Sequence, residues 1–132
     1  LASGSAIAAA ARQPGLAVFA AEPEGAADAF ESLRQNRHVT DLVPDTICDG
    51  LRATLGAPNL ALLRGHGVTV LLVSDAEVVA AMREAWARLR QVIEPSSATV
   101  LAAVRRYPGH FAGKRVGLIL SGGNVDLDAL PW

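Results

Sequence analysis

Arg115-Val116-Gly117-Leu118-Ile119-Leu120 runs directly into Ser121-Gly122-Gly123-Asn124-Val125-Asp126. The first six residues form a short apolar run stopped by glycines, the pattern of a strand buried on both faces of a parallel sheet. Ligands of open α/β sheets sit at the carboxyl ends of such strands. Ser121 is thereby expected beside a ligand, with Gly122 and Gly123 allowing close backbone approach. The same residues also fit a plain strand-to-helix turn in which Asp126 supplies an N-cap.

Outward from this junction the chain alternates strand and helix patterns. Val68-Thr69-Val70-Leu71-Leu72-Val73 is a β-branched strand. Ser74-Asp75-Ala76-Glu77 follows as a capping box, opening a helix in which Val78, Met82, Trp86, Leu89 and Ile93 make one apolar face up to Glu94-Pro95. Pro95 opens the next helix at its first turn, and Tyr107-Pro108-Gly109 closes it. Upstream, the alanine run after Ser3-Gly4-Ser5 is helical, and Leu16–Ala21 is a strand ended by Glu22-Pro23-Glu24-Gly25. A helix is expected from about Ala26 to Gln35 and a shorter one over Asn59–Arg64, with irregular chain over Asn36–Gly56. The expected fold is α/β, a parallel sheet flanked by helices, in a single unit over residues 1–132.

Composition narrows the function classes. The 132 residues carry a formal net charge of -1, so no basic field invites nucleic acid. No apolar stretch approaches the roughly 20 residues that span a membrane. The single cysteine, Cys48, excludes an internal disulfide and fits a reducing, cytoplasmic setting. His38, His66 and His110 lie far apart, without metal-ligand spacing.

Four patches align with one family. Ser121-Gly122-Gly123-Asn124-Val125-Asp126-Leu127 resembles the C-terminal signature of serine/threonine dehydratases and serine racemases, pyridoxal-phosphate enzymes of fold type II. Glu94-Pro95-Ser96-Ser97-Ala98 is similar to their EPSGA segment, and Thr46-Ile47-Cys48-Asp49-Gly50-Leu51 to their TIADGL segment. Glu22-Pro23, with Ala26 and Asp28, resembles their metal-site stretch. All four occur in the family's order and spacing.

The resemblance implies part of the large domain of such an enzyme and roles for particular residues. Ser121 would hydrogen-bond the pyridine nitrogen of pyridoxal 5'-phosphate, and Gly122, Glu94 and Gly50 would lie along the ring. Leu1 would directly follow the glycine-rich loop that holds the cofactor phosphate. Glu22, Ala26 and Asp28 would hold a divalent cation, Mg²⁺ or Ca²⁺, through hard oxygen atoms. The family's Schiff-base lysine and catalytic serine lie upstream of the residue matching Leu1. A pyridoxal aldehyde is held by a lysine amine, and the only lysine here, Lys114, falls in a polar turn at the opposite end of the last strand. No catalytic residue is therefore assigned within this sequence. Two departures stand out: Ser97 where the family usually has Gly, and Arg64-Gly65-His66-Gly67 where it has an acidic pair.

The implied activity is dehydration and deamination of a small β-hydroxy amino acid such as serine or threonine to a 2-oxo acid and ammonia. Serine racemase and hydroxyaspartate dehydratase are alternatives within the family. The implied partners are the amino-acid substrate, the upstream part of the enzyme, and a second copy in a homodimer. A reading of another class is a non-catalytic α/β binding module or subunit, although neither G-x-G-x-x-G nor a Walker pattern is present.

Overall fold

Two short strands pair in parallel at the centre of the computed structural model, which describes residues 1–132. They are β1 (Phe19–Pro23) and β2 (Thr69–Val73), with Phe19 opposite Thr69 and Pro23 opposite Val73. Side chains alternate across them. Phe19, Ala21, Leu71 and Val73 join one core, and Val18, Ala20, Val68 and Val70 join the other. Burial on both faces explains why Val68–Val73 reads as a continuous apolar run.

Helices cover each face. α1 (Ala2–Arg12), α2 (Asp28–Arg34) and α3 (Ala57–Gly65) enclose the core of Ala6, Ala29, Leu63, Val68 and Val70. α4 (Asp75–Glu84) and α5 (Pro95–Arg106) enclose the larger core, in which Val73, Val78, Met82 and Cys48 are fully buried. The expected capping box is present: Ser74 Oγ accepts the Glu77 N–H, and Glu77 Oε2 accepts the Ser74 N–H at 2.7 Å. A short α6 (Pro108–Phe111) follows α5. No helix is long and apolar enough to cross a membrane.

Three expectations are corrected. Residues 115–120 form no strand, and Val116, Leu118 and Ile119 stay 42%, 39% and 54% exposed. An apolar run of this kind is stable as a strand only with a ladder partner and covering layers, and the sheet here is β1 and β2 alone. Only the end of the segment is anchored, through Leu120 and Val125 against the α4–α5 core.

The helix begun at Asp75 also stops early. After α4 it widens into one π-helical turn (Ala85–Leu89) and ends at Arg90, whose φ is +56°. Leu89 is exposed, while Ile93 is buried from an extended stretch rather than a helix. Glu94 precedes a proline, which disfavours helical backbone there, and it is extended at ψ 162°. Finally, the first strand begins at Phe19 rather than Leu16, where pairing with β2 becomes available.

Candidate functional site

Glu94 is the point on which three distant segments converge. As N-cap of α5 it makes no side-chain cap to its own helix. Its carboxylate reaches across instead, and Oε2 accepts the Asn124 N–H at 2.8 Å. Its backbone N–H donates to the Gly122 carbonyl at 3.1 Å, so residues 122–124 run alongside the turn before α5. A Cβ placed on Gly122 would lie 2.6 Å from the Glu94 carboxylate. Any side chain there would displace it.

Gly50 approaches from a third direction. It sits in a 3₁₀ turn (Asp49–Leu51), and its N–H donates to Asp49 Oδ1 at 2.8 Å and to Ser96 Oγ at 3.0 Å. A Cβ on Gly50 would stand 3.0 Å from Ser96 Oγ and 3.9 Å from Glu94 Oε1. Gly50 and Gly122 thus flank one carboxylate, in a cradle that side chains would fill. Ser121, next in line, is exposed.

The acidic loop after β1 is built differently. Glu22 Oε1 accepts the Ala29 N–H at 3.2 Å and Oε2 accepts the Phe30 N–H at 2.9 Å, so the carboxylate caps α2. Asp28 is buried, and its Oδ2 accepts the Leu55 N–H at 2.7 Å. Burial pushes the Glu22 carboxyl up to about 7, and the nearby Asp28 charge adds to this against the two backbone N–H bonds. Neither carboxylate forms an ion pair with a basic side chain. No group of three or more His, Cys, Asp or Glu side chains is placed to hold a metal. Ala26 is buried in the same loop. The donor set is hard oxygen, the class a hard cation takes, with carbonyls and water completing its shell.

Other sequence candidates fall outside the Glu94 cluster. Leu1 is 78% exposed at the start of α1, which packs on α3 on the far core. Lys114 is exposed, as are His38, His66 and His110. Ser97 is buried, and its hydroxyl has no partner. A surface hollow of about 320 Å³ is lined by Arg83, Trp86, Ala87, Arg90 and Trp132 and does not include Ser121. Ser96 and Asn124 are the residues that sequence reasoning missed. Each lies inside a recognised patch, but the contacts that single them out span 46 and 30 residues.

Comparison with known proteins gives a consistent picture. A family model described as pyridoxal-phosphate dependent enzyme matches residues 1–122. The β-hydroxyaspartate dehydratase of Paracoccus denitrificans (strain Pd 1222) is 47% identical over 119 residues, covering 90% of this chain and 38% of that protein. The structure of maize serine racemase superposes with a TM-score of 0.89 at 38% identity, over 95% of this chain and 40% of the other. The crystal structure of a T.th. threonine deaminase superposes with a TM-score of 0.87 at 38% identity, over 96% of this chain and 46% of the other. The chain therefore spans less than half the length of the proteins it matches.

Proposed function

The chain belongs to the pyridoxal-phosphate dependent enzymes, and from that premise we propose that it forms the ring-nitrogen side of the cofactor site in an ammonia-lyase for a β-hydroxy amino acid. The observation that carries the reading is the convergence at Glu94, where Gly122 has no room for a Cβ beside the carboxylate and a Cβ on Gly50 would press on Ser96 Oγ at 3.0 Å. Such a glycine-lined wall admits a flat ring against backbone. When bound, pyridoxal phosphate supplies a conjugated ring that draws electron density from the α-carbon of an amino acid.

The residues of this chain then act as follows. The Ser121 hydroxyl would hydrogen-bond the ring nitrogen without carrying charge. An aspartate there would be a fixed counter-ion and hold a proton on that nitrogen; serine lets it stay neutral. Paired with a neutral hydroxyl, the ring would be a weaker electron sink than one paired with a carboxylate. Glu94 orders the turn at Gly122–Asn124 and so sets where Ser121 stands. Leu1 leads into the open first turn of α1, which carries no acidic residue and whose N–H groups favour the cofactor phosphate. Glu22, Asp28 and the Ala26 carbonyl would hold Mg²⁺ or Ca²⁺, which would offset the repulsion between the two carboxylates. The Schiff-base lysine and catalytic serine come from the upstream part of the enzyme, and the complete protein is a homodimer.

The test is product formation by the complete polypeptide loaded with pyridoxal phosphate. L-Serine, L-threonine and 3-hydroxyaspartate are offered in turn, and 2-oxo acid and ammonia are measured. Equal amounts of both products are expected. Racemised substrate without ammonia would replace lyase with racemase, and failure to bind the cofactor would favour a non-catalytic module. A second reading is specific to hydroxyaspartate, favoured by the 47% identity to the Paracoccus enzyme. It predicts turnover of 3-hydroxyaspartate well above that of serine or threonine. The 132-residue chain alone, lacking a suitably placed lysine, is expected to show no turnover.

A further inference from the structure

The loop that carries Gly50 to Glu94 is latched by a residue of another element. Asp75, the first residue of α4, turns its carboxylate away from its own helix. Oδ1 accepts the Thr46 hydroxyl at 2.5 Å, and Oδ2 accepts the Ile47 N–H at 2.9 Å. The Thr46 hydroxyl in turn accepts the Cys48 N–H at 3.2 Å. Arg52 clamps the same residue from the other side, its Nε and Nη2 donating to the Thr46 carbonyl at 3.0 and 2.6 Å. The Asp45 N–H donates to the Gly25 carbonyl at 2.8 Å. Beyond these bonds the fully buried Cys48 plugs the loop into the α4–α5 core, and Gly50 meets Ser96.

An acidic residue in the first turn of a helix is ordinarily explained by the helix dipole. That account is incomplete here. The N-terminus of α4 is already capped by Ser74 and Glu77, and both Asp75 oxygens are aimed at another loop. A charged acceptor bonded twice has a stiffer geometry than a neutral one. The carboxylate also orients the Thr46 hydroxyl, leaving its lone pair for Cys48.

We propose that Asp75 is a positioning residue for the cofactor site: through Thr46 and Ile47 it fixes where the Gly50 backbone lies against Ser96 and Glu94. The latch stands on the hydrogen bonds alone; its consequence for the cofactor rests on the function proposed above. Asp75 itself touches neither cofactor nor substrate.

The experiment uses the complete polypeptide, with and without pyridoxal phosphate, carrying Asp75→Asn, Thr46→Val, both together, or Thr46→Ser. Two quantities are read: the alkylation rate of Cys48 by iodoacetamide, followed on its own peptide by mass spectrometry, and the cofactor affinity by absorbance titration. Asp75→Asn and Thr46→Val are each expected to speed Cys48 alkylation about tenfold, as local opening of the loop exposes the thiol, and to weaken cofactor binding several-fold. The double variant should fall short of the sum of the two single ones, because both break the Asp75–Thr46 bond. Thr46→Ser, which keeps the hydroxyl, should label as slowly as the unsubstituted protein. Unchanged Cys48 labelling in Asp75→Asn and Thr46→Val would overturn the latch, as would fully additive effects in the double variant. Faster labelling with unaltered cofactor affinity would overturn the positioning role. If the unsubstituted polypeptide binds no cofactor, the proposed function fails, and the Cys48 rates alone decide the latch.

Discussion

Two Glu-Pro dipeptides, Glu22-Pro23 and Glu94-Pro95, put the same chemistry to opposite uses. Glu22 turns forward into its own chain and commits both oxygens to the first N–H groups of α2. Glu94 ignores the helix it begins and reaches to Asn124, between two glycines. The first carboxylate is satisfied locally, with burial and a neighbouring charge pressing against its ionisation. The second joins segments far apart in sequence and packs its carboxylate directly against Gly122. The lesson is that what a carboxylate does is set less by its residue type than by which backbone it reaches.

Two glycines offer the sharpest way to break this contrast, because each stands beside one of the dipeptides. A Cβ on Gly25 would lie 1.8 Å from the Asp45 carbonyl oxygen. Backbone cannot swing aside, so Gly25→Ala should cost about 3 kcal/mol or more in urea unfolding of the complete polypeptide. On Gly122 the obstacle is the end of the Glu94 side chain, which can rotate. Gly122→Ala should therefore cost only about 1–2 kcal/mol, yet abolish cofactor binding by displacing that carboxylate. Equal losses of stability would remove the distinction between a backbone and a side-chain obstacle.

The Glu22 carboxyl gives a smaller effect with a defined sign. Its folded value, about 7, is above the ordinary 4.5. Its stabilising contribution is thus full below pH 4.5 and lost as pH rises through about 7. Glu22→Gln is neutral throughout. Unfolding measured in parallel should show the variant gaining on the parent between these values and keeping that lead, undiminished, above them. Added Mg²⁺ or Ca²⁺ should narrow that gap if the loop holds a cation. The smallest effect belongs to Arg106, which pairs with Glu24 at 2.6 Å and Glu77 at 3.0 Å near the surface. Arg106→Met should change stability by less than about 1 kcal/mol, and a larger loss would mean that these pairs do more than decorate the acidic loop.

Much of this molecule can be read from local pattern. The box of Ser74 and Glu77 closes over three residues, and Pro95 opens α5 as its fixed φ suggests. Within the expected strand Val68–Val73, residues 69–73 pair with β1. The failures have a common physical origin in partners that local pattern does not contain. Leu118 and Ile119 look like core residues, but the layers that bury such a strand are not supplied by residues 1–132. Ile93 keeps helical spacing from Leu89, yet Arg90 enters the left-handed region and the chain straightens toward Glu94. The site divides in the same way. Gly50, Glu94 and Gly122 are legible from their patches, whereas Asp75 reads only as part of a capping sequence. Its partner Thr46 lies 29 residues away, beyond the reach of any local rule.

The central claim, that Ser121 faces a pyridine nitrogen, is tested most directly by one spectrum. The absorbance of pyridoxal phosphate bound to the complete polypeptide is followed against pH for the unsubstituted protein and for Ser121→Asp. A charged carboxylate at that position should hold a proton on the ring and shift the bound-cofactor band and its titration. Superimposable spectra across the pH range would contradict the claim.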